Sequence, residues 1–239
     1  ATELKKNLGK YLEDAMARKE TVITKNGGRI ARLVPYIEDF TGYLLAKEEV
    51  AQYRNKTVSY EEFLSISEKS EARMEFINGE IIMQASPNSF HQEAVGNLHL
   101  VMKQFFRGKS CKVFLAPFDV TLYKKDIKTP DVVQPDVLVI CDAKEKINEK
   151  GRYHGIPTLV VEVLSPSTRS CDMLDKLNTY MRSGCREYWV VDVERAQLLQ
   201  YSFSDFEIEE YQIVKSGEQL ISIAFPNLSF QVSQIFDEE

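Results

Sequence analysis

Two hydrophobic rhythms alternate along the chain, and the changes of rhythm mark its elements. From Thr2 to about Glu20, Leu4, Leu8, Tyr11, Leu12, Ala15 and Met16 share one helical face, with Lys5, Lys6, Lys10 and Lys19 mostly outside it, which predicts an amphipathic helix. The period then drops to two. Thr21 to Thr24 and Arg29 to Val34 flank Asn26-Gly27-Gly28 and predict a short β-hairpin closed by Pro35. A unit of about 40 residues buries too little core to stand alone, so dimerisation or docking is expected of it. Residues 41 to 56 read as a helical linker, after which Ser59-Tyr-Glu-Glu62 forms a capping box that opens a helix to about Ile66.

The main domain is expected over residues 57–239. Arg73 to Ile77 and Glu80 to Gln84 are joined by Asn78-Gly79, the pair favoured by a two-residue type I′ turn. That turn sets the register: Ile77 faces Glu80 and Glu75 faces Ile82, so Glu75, Ile77, Glu80 and Ile82 share one face. A helix from Pro87 to Phe106 carries His91, Val95, Leu98, Met102 and Phe105 on one stripe. Strands follow near Lys112 to Leu115, Asp119 to Tyr123 and Val133 to Ile140, then a polar loop from Asp142 to Arg152 and a strand from Thr158 to Leu164. A helix from about Asp172 to Ser183, a strand from Glu187 to Asp192 and a short antiparallel tail complete the pattern. Strands mixed with two long helices imply an α/β or α+β domain, a mixed β-sheet flanked by helices.

Two of the strand-like runs break the apolar rule. Gln134 to Ile140 contains Asp136, and Thr158 to Leu164 contains Glu162. An ionised carboxylate in an apolar sheet is strongly disfavoured unless a cation or hydrogen bonds compensate it. Alternation puts Asp136 with Leu138 and Ile140, and Glu162 with Val160 and Leu164, so if the strands pair the two acids meet. With a backbone carbonyl such as that of Val163 they would make an oxygen-only site suited to Mg²⁺ or Mn²⁺, the chemistry of phosphodiester hydrolysis. A lysine two residues after the glutamate would complete the set, but that position is Leu164. The downstream helix offers Lys176 instead, with Asp172 and Tyr180 one turn to either side. Glu75 reads as structural. His91 reads equally as a cap or core residue and as a phosphate or proton-transfer contact, Tyr180 and Trp189 as packing residues, and Ser165 to Thr168 as a helix entry able to hold a phosphate.

Charge refines the picture. The net charge is −6, yet residues 1–56 carry 11 Lys and Arg against 8 Asp and Glu, so the acidity lies in the main domain. An acidic body argues against tight non-specific binding to nucleic acid, though not against a local basic cleft or metal-mediated phosphate contact. Cys111, Cys141, Cys171 and Cys185 form no C-x-x-C pair, so free thiols in a reducing cytoplasm are expected, with no disulfide or metal staple. No basic-then-apolar leader and no run of about 20 apolar residues is present, so neither secretion nor membrane insertion is expected. The chain begins at Ala1 rather than Met, which leads us to expect upstream residues.

Two resemblances sharpen these expectations. Ala1 to Leu12, Val22 to Gly27 and Ile30 to Pro35 resemble the N-terminal region of Phd/YefM-type antitoxins, whose members dimerise and bind operator DNA. Arg73 to Ile81, Pro87 to His91, Gln134 to Val137, Val161 to Thr168, and Asp175 to Tyr180 with Gly184 and Glu187 to Asp192 resemble the Uma-type restriction endonuclease family of the PD-(D/E)XK superfamily, over about residues 57 to 215. That resemblance implies a PD-(D/E)XK restriction-endonuclease-like core, with Glu80, Asp136 and Glu162 as metal ligands and Lys176 as the relocated lysine. It implies a cytoplasmic Mg²⁺-dependent DNA endonuclease, expected to act as a homodimer that cuts both strands. The antitoxin-like segment would dimerise or regulate it, with a toxin–antitoxin partner in prospect. The alternative is a non-catalytic DNA-binding or toxin–antitoxin regulator on the same fold; hydrolysis of another phosphate ester is a third reading.

Overall fold

The computed structural model describes residues 6–11, 21–25, 28–33, 57–70, 72–84, 86–165 and 171–236. The chain divides into two compact units, Ala1–Thr41 and Gly42–Glu239. In the first, residues 8–11 are helical, and β1 (Thr21–Lys25) pairs antiparallel with β2 (Gly28–Leu33), with a bulge between Ile23 and Thr24. The remainder of the predicted first helix and the linker at 41–56 lie outside the described residues.

The second unit opens with α1 (Tyr60–Lys69), started by the predicted capping box: Ser59 Oγ accepts from Glu62 N while the Glu62 carboxylate accepts from Ser59 N. The hairpin β3 (Met74–Ile77) and β4 (Glu80–Met83) adopts the register expected from its turn, Ile77 opposite Glu80 and Glu75 opposite Ile82, with Asn78 at φ 54° and Gly79 at φ 85°. The long helix α2 (Ser89–Phe106) is capped by Asn88. Then come β5 (Lys112–Leu115), β6 (Val120–Leu122), β7 (Asp131–Val133), β8 (Val137–Ile140), the single turn α3 (Ala143–Lys146) and β9 (Leu159–Val163). A π-helical stretch, Cys171–Lys176, continues directly into α4 (Leu177–Ser183), which stops at the left-handed Gly184, φ 88°. The strands β10 (Glu187–Asp192), β11 (Gln197–Ser204), β12 (Glu207–Lys215), β13 (Gln219–Ile221) and β14 (Ser229–Gln231) end the fold.

Six of these strands form one mixed sheet in the order β12-β11-β10-β9-β8-β5, with only the β9–β10 pair parallel; β4-β3-β7-β6 form a second, antiparallel sheet. Strand alternation divides the core between the two faces of the six-stranded sheet. On one face Val137, Val139, Val161 and Val163 pack with Leu98 and Met102 of α2; on the other Leu138, Ile140 and Val160 pack with Tyr180 of α4 and Val120 and Val133 of the smaller sheet. A lesser cluster joins Phe63 of α1 to Met74, Phe76 and Val132, with the Phe63 and Phe76 rings stacked at 5.0 Å.

Two expectations need correction. The single strand predicted from Val133 to Ile140 is two strands in two sheets. Pro135 brings no N–H and disfavours helical geometry at Gln134, so the chain turns a corner there and passes from the small sheet to the large one. The cysteines also differ from expectation: Cys111 and Cys141 are disulfide-bonded, while Cys171 and Cys185 are free and buried. The reason is register. Lys112 pairs with Ile140 between β5 and β8, so the next residues outward, Cys111 and Cys141, face each other with Cα atoms 3.9 Å apart.

Between β8 and β9 the chain makes an excursion held by its own contacts. Tyr153 is buried and donates its hydroxyl to Asp142 at 2.6 Å, and Gly155 lies so close to the Tyr153 ring that a Cβ there would come within 2.5 Å of it. At the start of β10, the buried Glu187 carboxylate accepts from Trp189 Nε1, Gln200 Nε2, Ser222 Oγ and the backbone N–H groups of Ile223 and Ala224. It ties the C-terminal segment to the central strands. Glu187→Ala would leave these buried donors without their acceptor and should destabilise the domain by at least about 3 kcal/mol. Urea unfolding followed by Trp189 fluorescence measures the loss.

Candidate active site

The site begins at the mouth of the β8–β9 pair. Val137 pairs with Val161, so one step further out Asp136 stands opposite Glu162 across antiparallel strands. Like charges directly opposite one another repel, so the pair calls for a positive group. Lys176 supplies one. Its Nζ lies 2.9 Å from Glu162 Oε1, 3.0 Å from Glu75 Oε1 and 3.3 Å from Asp172 Oδ1, and all four side chains are at most 3% exposed.

Each partner is held from a different element. Glu162 projects from the centre of the large sheet and also accepts from Tyr180 Oη of α4 at 2.7 Å. Glu75 comes from β3 of the small sheet; it accepts from Gln84 Nε2 and, at 2.8 Å, from the backbone N–H of Gln134, at the corner that sets Asp136. Asp172 and Lys176 lie four residues apart in the π-helical stretch, and Tyr188 Oη bonds the Asp172 carbonyl at 2.9 Å, anchoring that turn to the sheet. Asp136 accepts from Val163 N at 2.8 Å through Oδ2, and the same oxygen lies 3.2 Å from His91 Nε2. His91 sits in the first turn of α2, its backbone N–H bonded to the Asn88 side chain; its Nδ1 is buried with no hydrogen-bond partner among the described residues.

Electrostatics follow from this crowding. Burial raises the Glu162 pKa well above the ordinary carboxylate value; Lys176 opposes the shift, while Asp172, Asp136 and Glu75 reinforce it. Burial alone would depress Lys176, but Glu162, Glu75 and Asp172 together outweigh it and hold the ammonium charged, its pKa well above the usual lysine value. Tyr180 is pushed up by burial and by Glu162, so it stays a neutral hydrogen-bond donor.

Asp136, Glu162, Asp172 and Lys176 line a cavity of about 210 Å³ that also takes in Arg73, Gln84, Asn88, His91 and Gln134. Arg73 Nε donates to Gln134 Oε1 at 3.2 Å, which leaves the rest of the guanidinium at the rim. The structure thus brings Asp136, Glu162, Lys176 and His91 together. Glu80 does not line the cavity. It shares the strand face of Glu75, but it lies at the hairpin tip, about two residues or roughly 7 Å further along. Glu75, read from the sequence as structural, is likewise outside the cavity lining; it is buried as an ion-pair partner of Lys176. Its signal is a buried acid between Met74 and Phe76 on a wholly buried strand, the same anomaly that marks Asp136 and Glu162. Of the Ser165 to Thr168 stretch, only Ser165 lies within the described residues, and it borders the cavity.

The donor set suits a hard divalent cation. Asp136 and Glu162 offer carboxylate oxygens at a polar opening, and Mg²⁺, which keeps several waters, is commonly bound through only one or two carboxylates. Among the described residues no three His, Cys, Asp or Glu side chains form a ready-made ligand cluster, and three of the acids are engaged by the Lys176 ammonium.

A mixed sheet flanked by helices, with acids on adjacent strands and a lysine against one of them, is a restriction-endonuclease-like nuclease fold. The family described as "Putative restriction endonuclease", Uma2, matches residues 60–233, and the chain belongs to it. The match does not extend to the antitoxin-like N-terminal segment. A crystal structure described as a putative nuclease belonging to DUF820, from Anabaena variabilis, superposes with a TM-score of 0.61 at 19% identity, covering 75% of this chain and 97% of that one. Two uncharacterised Synechocystis proteins are similar: slr1290 is 26% identical over 69% of this chain and 78% of its own length, and sll1609 is 25% identical over 70% and 87%.

The two glutamates of the hairpin are separable by stability. Glu75→Ala removes a buried partner of Lys176 and the acceptor of Gln134 N, and should cost about 3 kcal/mol, whereas Glu80→Ala, outside the cavity, should change stability by less than about 0.5 kcal/mol. Parallel denaturant titrations of the two variants test this.

Proposed function

We propose that the protein is a Mg²⁺- or Mn²⁺-dependent DNA endonuclease. The observation that carries this reading is the placing of Asp136 opposite Glu162, with the Lys176 ammonium beside them in one open cavity. Asp136 and Glu162 would hold the metal. Once bound there, it supplies Lewis-acid polarisation of the phosphodiester and lowers the pKa of the attacking water.

The chain's own groups do the remaining work. Lys176, kept charged by its carboxylates, orients the nucleophile and offsets the charge that develops on phosphate in the transition state. Glu75 and Tyr180 fix the lysine and glutamate so that little reorganisation is needed. Arg73 at the rim and the positive end of α2, where Asn88 and His91 meet the cavity, attract the substrate's phosphates. His91, against Asp136, orients that carboxylate.

DNA is the substrate in this reading, a homodimer its working form and the cytoplasm its setting. The N-terminal unit, lying outside the residues that the family covers, is the candidate for dimerisation or for a toxin–antitoxin partner. Its β1–β2 hairpin, present where the antitoxin resemblance calls for one, supports that role.

Plasmid nicking tests the site. The wild type should nick in Mg²⁺ and stop in EDTA; Asp136→Ala and Glu162→Ala should fall to background, and Lys176→Met should lose about 10² to 10³ in rate. Metal-dependent nicking that survives Glu162→Ala would sink the proposal. No cleavage with any divalent metal, together with salt-sensitive operator binding, would favour a non-catalytic regulator instead.

A further inference from the structure

We infer that this centre takes one divalent ion per chain, and that the Lys176 ammonium stands where a second cation would bind. The inference rests on the metal-dependent reading above and concerns how many ions the site holds.

Three carboxylates line the cavity, Asp136, Glu162 and Asp172, and Glu75 lies buried behind them against Lys176; the structure divides the four into two kinds. Glu75, Asp172 and Glu162 surround Nζ at 2.9 to 3.3 Å as close ion pairs, with the hydrogen bond to Glu162 the shortest of the three contacts. This inner position is closed: its side chains are no more than 3% exposed, so an incoming ion would have to shed its water and displace a cation already matched to three acids. Mg²⁺ dehydrates reluctantly, and displaced Lys176 would need new partners in a buried place. Asp136 belongs to the second kind. It is 17% exposed and makes no ion pair with Lys176.

Oxygen bookkeeping points the same way. Lys176 and Tyr180 both donate to Oε1 of Glu162, and Val163 N and His91 Nε2 both address Oδ2 of Asp136. Among the described residues, each acid therefore has one oxygen committed to the protein and a second left for the cavity. Those two oxygens provide for one ion, not two.

The test is a count. The full chain is titrated with Mn²⁺ by calorimetry and by electron paramagnetic resonance, both independent of cleavage. The wild type should bind one ion with an uncoupled Mn²⁺ spectrum. Lys176→Met should open the inner position and bind two, giving a spin-coupled pair. Glu75→Gln, which touches the ammonium and not the ion, should still bind one, with affinity lowered no more than about tenfold, while Asp136→Ala should lose far more. Two ions in the wild type, or one ion in a folded Lys176→Met, overturn the inference; if Lys176→Met does not fold, a larger loss in Glu75→Gln than in Asp136→Ala does so. Two ions leave the metal-dependent reading standing, whereas no bound ion in the wild type removes both.

Discussion

A buried ammonium ringed by three carboxylates is the constraint around which the domain is arranged. Removing Lys176 and its acids from water is costly, and only close mutual geometry repays that cost. The geometry must therefore be supplied from several directions: Glu162 from the large sheet, Glu75 from the small one, and Asp172 with Lys176 itself from the π-helical stretch. A tyrosine on α4 and another on β10 hold the pieces in place, Tyr180 on the Glu162 carboxylate and Tyr188 on the Asp172 carbonyl. The packing of sheet, hairpin and helix is in this sense a support for a few oxygens and one nitrogen.

Much of this is legible in the sequence because a misplaced polarity is a strong signal. Asp136 and Glu162 interrupt apolar runs, and the absence of a lysine at position 164 directs attention to Lys176. The hairpin register follows from Asn78-Gly79 alone. What escapes is depth. Alternation says which face Glu75 and Glu80 share but not which end of that face is covered, and coverage depends on a sheet neighbour, β7, that is distant in sequence. Pairing of Cys111 with Cys141 is hidden for the same reason, since it depends on the β5–β8 register. The corner at Pro135 has a local signal, yet the apolar run on both sides masks it. The π winding of Cys171–Lys176 has none, because it is a choice of hydrogen-bond partner that leaves the residue pattern helical.

The two sheets are joined most directly at the site itself. Gln134, just after the end of β7, gives its N–H to Glu75 and its side-chain amide to Asp119, while its carboxamide oxygen receives Arg73. Two residues later the chain presents Asp136. The position of that carboxylate is thus set by the junction of the sheets and by the start of α2 through His91. A second polar anchor, Lys124 between Asp131 and Asn78, fastens the hairpin turn to the strand that leads into the same corner.

The excursion between β8 and β9 lends this arrangement a different significance. It departs from the strand that follows one acid and returns to the strand that carries the other, yet none of its residues lines the cavity, and its fold is kept by internal contacts such as Tyr153 with Asp142 and the close approach of Gly155. The excursion leaves from the end of the β8–β9 pair that is remote from Asp136 and Glu162, so it can lengthen or shorten without altering the separation of the two acids.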